Sequence, residues 1–179
     1  DSRTPGNPYG VTTNKFWDFI PATGDKPPEL LLYGAISSQQ SWWEDRVTPQ
    51  QFNQELAALG DVPEIIVRIN SGGGDVFAAN AIFTRLKDCS AKVIVKIDGW
   101  AASAATIIAM AGDTIKIARN GVFMIHDPAM TVWDTFRAED FLKMADELKV
   151  IKQSIVNTYA SKTGKKTEDI EQLMSNETW

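Results

Sequence analysis

An α/β domain is what this chain predicts, on three observations. Short β-branched runs alternate with amphipathic stretches at intervals of roughly 25–30 residues, the layout of stacked strand–helix units. Gly72-Gly73-Gly74 joins one such run directly to the start of a helix. The stretch from Asp98 to Gly112 then passes from a strand into a helix through Ala101, Ala102, Ser103, Ala104 and Ala105, all of them small.

Taken in order, Asp1 to Thr13 is rich in Pro, Gly, Thr and Asn and reads as a mobile arm or expression remnant. Asp1 in place of Met points to a processed or trimmed chain. Phe16, Trp17, Phe19 and Ile20 suit a short strand, broken by Gly24 and Pro27-Pro28. Leu30 to Ile36 is a buried-strand candidate, and Trp42 and Trp43 follow in a polar loop as structural anchors or partner contacts. Thr48, Pro49 and Gln51 form a helix-start signal, Phe52, Leu56 and Leu59 its apolar stripe, and Gly60 its end.

Glu64 to Ile69 is the next strand, and a helix follows from about Val76 to Lys87 with Phe77, Ala81, Ile82 and Leu86 on one face. Lys92 to Ile97 repeats the strand, and Gly99 lets the chain turn into the helix that Ser103 opens. Thr114 to Ala118, the turn Arg119-Asn120-Gly121 and the strand Val122 to Ile125 come next, delivering His126 ahead of Asp127-Pro128. Arg137 to about Ser161 is a long amphipathic helix, with Phe141, Met144, Leu148, Ile151, Ile155 and Tyr159 at spacings of three and four. Gly164 stops it, and Thr167 caps a last short helix that turns Ile170, Leu173 and Met174 inward.

Composition narrows the function. The 179 residues suit one domain with a substantial core. A net charge of −5 with no Lys/Arg cluster argues against nucleic acid, and no apolar run is long enough to span a membrane as a helix. The single cysteine, Cys89, excludes an intrachain disulfide framework and fits a reducing compartment, the cytoplasm. One histidine, His126, excludes a multi-histidine metal site and leaves a histidine-dependent mechanism a single candidate; no metal or cofactor is expected.

Gly72, Gly73 and Gly74 let backbone N–H groups approach a ligand, or merely make a tight turn. Phe77 stands where a dinucleotide fingerprint needs its last glycine, and no Gly-Lys-Ser/Thr follows, so a nucleotide site is disfavoured. Ser103 lies near a helix start, where an oxyanion would be stabilised, and it would equally serve as an N-cap. The glycine loop, Ser103 and His126 all fall at the carboxyl ends of strands, where sites gather in such sheets.

Three blocks carry a resemblance. Ile69-Asn-Ser-Gly-Gly-Gly74, Asp98-Gly-Trp-Ala-Ala-Ser103-Ala and Phe123-Met-Ile-His126-Asp-Pro128 resemble the signature blocks of ClpP-type serine peptidases, with Ser103 and His126 separated by 23 positions. The resemblance implies the ClpP/crotonase-like fold of stacked ββα units in a spiral, with a protruding "handle" helix at about 137–161. It sets a single peptidase domain at 30–179 behind an arm and first short strand at 1–29. It makes Ser103 the nucleophile, His126 the general base and the backbone N–H groups of Gly74 and Ala104 the oxyanion hole, beside a substrate-binding loop at Gly72 and Gly73. Glu177, two positions before Trp179, holds the place of the family's acid, with Asp127 the fallback. The family continues into a closing helix and strand, so the resemblance implies either a chain truncated after Trp179 or a tail that belongs beyond it.

Partners implied by the resemblance are a polypeptide substrate and further copies of the chain in a ring, heptameric or of stacked heptamers, with a AAA+ ATPase possible. Gly72 replaces the usual proline, Asp75 adds a charge, the segment before Leu30 is unlike the ATPase-engaging loops, and Trp42 to Asp45 reads as an addition. These departures resemble the ClpP-related head maturation proteases of phages and prophages, which cleave scaffold or capsid protein. The alternatives are a crotonase-type acyl-CoA enzyme and a non-catalytic ring-forming shell protein; the Ser–Lys signal-peptide-peptidase relatives fit less well.

Overall fold

The computed structural model describes residues 15–37 and 49–179. Readings for Asp1 to Thr13, Trp42 to Asp45 and the Thr48 cap lie outside the described residues. The elements are β1 (Trp17–Ile20), β2 (Glu29–Tyr33), α1 (Pro49–Ala58), β3 (Glu64–Ser71), α2 (Val76–Lys87), β4 (Lys92–Ala102), α3 (Ala104–Ala109), β5 (Thr114–Ile117), β6 (Val122–Met124), α4 (Ala138–Thr163) and α5 (Thr167–Ser175).

The sheet runs β1-β2-β3-β4-β5, with β6 also on β4; β1 pairs antiparallel with β2, and the other pairings are parallel. Alternation along β3 and β4 explains the core. Ile65, Val67, Ile69, Val93, Val95 and Ile97 point to one face and are fully buried, each contributing roughly 1.5–3 kcal/mol over exposure. The other face carries Arg68, whose guanidinium meets the Asp98 carboxylate with two hydrogen bonds of 2.8 Å. Tyr33 donates to the same carboxylate at 2.6 Å.

Four readings need correction. The strand that begins at Lys92 does not end at Ile97 but runs to Ala102, directly against Ser103, and α3 is only six residues long. Alanines favour helix, yet pairing decides here: Ile94–Ile97 bond to β5 and Trp100–Ala102 to β6. Gly99 therefore makes no turn; it lies within β4, where a Cβ would approach the Asn70 side-chain oxygen to 2.5 Å. On α2 the buried set is Ala79, Ile82 and Leu86, while Phe77 and Ala81 are exposed, because the 79/82/86 ridge is the one turned into the core. The cap of α5 is Lys166, with no side-chain cap bond, and Thr167 is its first helical residue; Ile170 and Met174 are buried as expected, and Leu173 is half-buried.

Helix α4 has two characters. Its second half packs on the core through Ile155, Val156 and Tyr159, and Gly164 ends it in the left-handed conformation, φ 70°. Its first half stands clear, leaving Phe141, Leu142 and Val150 exposed. Among the described residues no helix is long and apolar enough to cross a membrane.

Tyr159 also ties α4 to α3. Thr106 donates to the Ser103 carbonyl at 2.5 Å, so its hydroxyl accepts the Tyr159 proton, also at 2.5 Å. Burial pushes the Tyr159 phenol up to about 12, the Thr106 bond pulling the other way, so it stays a neutral donor. Tyr159→Phe is expected to cost about 1 kcal/mol, read as a lower midpoint in urea with an unchanged slope.

Candidate active site

The register of the β4–β6 pair explains why a spacing of 23 brings a serine to a histidine. Trp100 faces Val122, Ala101 faces Phe123 and Ala102 faces Met124. The Ser103 N–H extends the ladder by donating to the Met124 carbonyl at 2.9 Å. Two residues past Met124 the chain reaches His126, and its Nε2 lies 2.7 Å from Ser103 Oγ. The parallel pairing thus brings the two side chains within reach of each other.

Ser103 has φ 54° and ψ −129°, and its side chain makes no cap bond to α3. A capping serine has extended backbone and points its oxygen at the helix; this one is turned into the left-handed half of the map and given to the imidazole. Among the described residues only Ser103 and Glu177 (φ 53°) are non-glycines with positive φ. Such backbone costs of order 1–3 kcal/mol and persists where surrounding structure imposes it. For Ser103 the constraints are the Met124 bond in front and the Thr106–Tyr159 relay behind.

The glycine loop lies against the serine. A Cβ on Gly73 (φ 92°) would come 2.6 Å from the Ala102 carbonyl oxygen, 2.7 Å from Ser103 Cβ and 2.8 Å from Ala104 N. On its other side the loop is bridged to Ile36, which donates to the Gly73 carbonyl at 2.8 Å and accepts from Asp75 N at 2.9 Å. That bridge skips Gly74, leaving its N–H unused by it, and Gly74 (φ 142°) has no room for a Cβ against the Ile36 carbonyl. The Ala104 N–H opens α3 and has no acceptor within its own helix. Buried Ser71 braces the turn by donating to the Gly34 carbonyl at 2.5 Å and accepting from Gly73 N at 3.1 Å. The charge of Asp75 is accounted for: it caps α2, accepting from Phe77 N and Ala78 N at 2.7 and 3.0 Å. Gly72 lies under the Trp100 indole.

The two acid candidates fare differently. An antiparallel bridge joins Ile125 to Thr178, with Ile125 N donating to the Thr178 carbonyl at 3.0 Å. Its register carries Glu177 opposite His126, but the Glu177 carboxylate is exposed and does not hydrogen-bond the imidazole. Asp127 is engaged elsewhere, with Lys152 Nζ 2.9 Å from each of its oxygens and the Ser175 hydroxyl donating at 3.0 Å. The structure therefore brings together Ser103, His126, Ala104 and the glycine loop, sets Glu177 alongside, and turns Asp127 away. Sequence reading missed the bracing roles of Ser71, Thr106 and Tyr159: Ser71 stood unassigned inside the glycine block, Thr106 carries no local signal, and Tyr159 was read only as part of the apolar stripe of the long helix.

A family model described as Clp protease matches residues 39–179. The ATP-dependent Clp protease proteolytic subunit 1 of Chlamydia abortus is 32% identical over 117 residues, covering 64% of this chain and 61% of that protein. Proteolytic subunit 3 of Rhodococcus jostii is 30% identical over 127 residues, covering 69% and 61%. The chain thus spans about three fifths of the length of these relatives. Among solved structures, a mutant of ClpP1 from Listeria monocytogenes superposes with a TM-score of 0.68 at 26% identity, covering 82% of this chain and 78% of that one. The α/β architecture with its long C-terminal helix is accordingly ClpP-like. With the family model matching most of its length, the chain belongs to the Clp protease family.

Proposed function

We propose that the chain is the catalytic unit of a serine endopeptidase acting within a ring of identical copies. The observation that carries this reading is the 2.7 Å contact between Ser103 Oγ and His126 Nε2, made by a serine whose side chain leaves its helix uncapped. Ser103 Oγ attacks the peptide carbonyl carbon while His126 Nε2 takes its proton. The carbonyl oxygen becomes an oxyanion, held by the N–H groups of Gly74 and Ala104. Collapse breaks the C–N bond, the imidazolium gives its proton to the leaving amine, and an acyl-serine remains. Water, deprotonated by the same imidazole, releases the acid and restores Ser103. Glu177, opposite His126, is the acid that orients the ring once its carboxylate turns inward; Gly72 and Gly73 line the substrate's path.

Cleavage of an unfolded protein, followed as new N-termini, is expected to need the neutral imidazole and so to fall as the pH is lowered towards about 5. A flat profile from pH 5 to 9 would remove His126 from the role of base.

The ring reading is supported by the exposed apolar residues on the first half of α4, a surface suited to other copies. Closed heptamers, singly or stacked in pairs through α4, fit it, with a AAA+ ATPase supplying polypeptide. Leu148→Glu, on the half-buried side of that segment, is expected to give smaller assemblies by native mass spectrometry. An unchanged mass would exclude this interface. Processing of phage scaffold or capsid protein is the finer reading; it rests on Gly72 in place of proline and on the Trp42 to Asp45 stretch. Its test is cleavage of purified phage scaffold and capsid proteins by this chain. The second reading is a non-catalytic shell protein, favoured only by the missing Glu177–His126 bond.

A further inference from the structure

The cluster formed by Asp127, Lys152 and Ser175 is not used by the chemistry above, yet it grips the residue next to His126. Lys152 Nζ sits 2.9 Å from both Asp127 oxygens and donates to Ser175 Oγ at 3.1 Å, and Ser175 donates onward to Asp127 at 3.0 Å. Asp127 Oδ1 is shut off from solvent with no hydrogen bond aligned on it, so the Lys152 ammonium is its one compensation among the described residues. The three residues come from three segments: Asp127 follows β6, Lys152 lies midway along α4, and Ser175 ends α5 two positions before Glu177. Together with the Ile125–Thr178 bridge they hold the histidine segment on both sides of the imidazole.

We propose that Lys152 is a positioning residue for His126, neutralising Asp127 and clamping the histidine segment onto α4 and α5. The proposal rests on the peptidase reading and deepens it. The charged groups around the imidazole are Asp127 on its own segment, Lys152 on α4 and Glu177 after α5. β4 and α3 contribute the Ser103 hydroxyl, and Asp75 in the glycine loop is tied to the start of α2. Without Lys152, the Asp127 carboxylate keeps only the Ser175 hydrogen bond and its charge favours the protonated imidazole; without Asp127, the unpaired ammonium disfavours it.

The test is the rate of fluorophosphonate labelling at Ser103 from pH 5 to 9, at low salt, in the full chain. Lys152→Met is expected to move the pH midpoint up by about half a unit and so to slow labelling below the midpoint by about threefold. Asp127→Asn is expected to move it down, the double variant Asp127→Asn/Lys152→Met to return it to the parent value, and Lys152→Arg to leave it in place. Midpoints that stay put, or that move in the same direction in both single variants, overturn the proposal while the labelled parent protein upholds the peptidase reading. A parent chain that takes no label at Ser103 sinks both. Should Lys152→Met fail to fold, Asp127→Asn and the double variant still decide the sign.

Discussion

Ser103→Ala is expected to lower peptide hydrolysis by about 10⁴-fold or more, at least about 5 kcal/mol of transition-state stabilisation, while the fold survives. The methyl group keeps the Cβ that Gly73 packs against and removes only the oxygen 2.7 Å from His126. His126→Ala should cost a similar amount, and combining the two should cost little more, because nucleophile and base act as a unit. Thermal melts of the variants, set beside kcat, separate this from unfolding. Ser103→Ala with more than a tenth of the parent activity would assign the nucleophile elsewhere.

The second large effect belongs to a glycine. Gly73→Ala is expected to cut kcat at least 100-fold and to lower the melting temperature. A Cβ there has no free direction: it meets the backbone of Ala102 and Ala104 and Cβ of Ser103 at 2.6–2.8 Å, on a backbone at φ 92°. Relief requires moving the serine or the Ala104 N–H, and a displacement of about 1 Å in a reacting group is worth about 100-fold. Gly72→Ala makes the control. Its Cβ would meet only the far end of the half-exposed Trp100 indole, at 2.8–2.9 Å, which can swing aside, so activity should stay within about threefold. Equal losses at both positions would show that the glycine loop fails as a whole and that contact with the serine is not the cause.

Much of this was legible in the chain because local and tertiary preferences agree. The β-branched runs at Glu64–Ile69 and Lys92–Ile97 became buried strands, and Gly60 and Gly164 ended helices at positive φ. Ser103 and His126 were legible as a pair through the family resemblance of their blocks, and the β4–β6 register is what converts their spacing into a distance. Where the two levels disagree, sequence reading failed. Ala101 and Ala102 look helical but are held in β4 by β6, and Gly99 serves a neighbouring Asn70 side chain and not a turn. Phe77 looked like a core residue by its spacing, and only the way α2 is turned in the fold shows that it is exposed. The Asp127–Lys152–Ser175 cluster and the Tyr159–Thr106 relay join residues 23 to 53 positions apart, and no local pattern announces either.

The central claim is that Ser103 and His126 form an assembled nucleophile and base. Intact-mass and peptide mass spectrometry after treatment with a fluorophosphonate tests it most directly, beside Ser103→Ala. One adduct per chain, located on Ser103 and lost in the variant, is the predicted result. A chain that melts cooperatively yet stays unlabelled, or that carries its adduct on another serine, would contradict it.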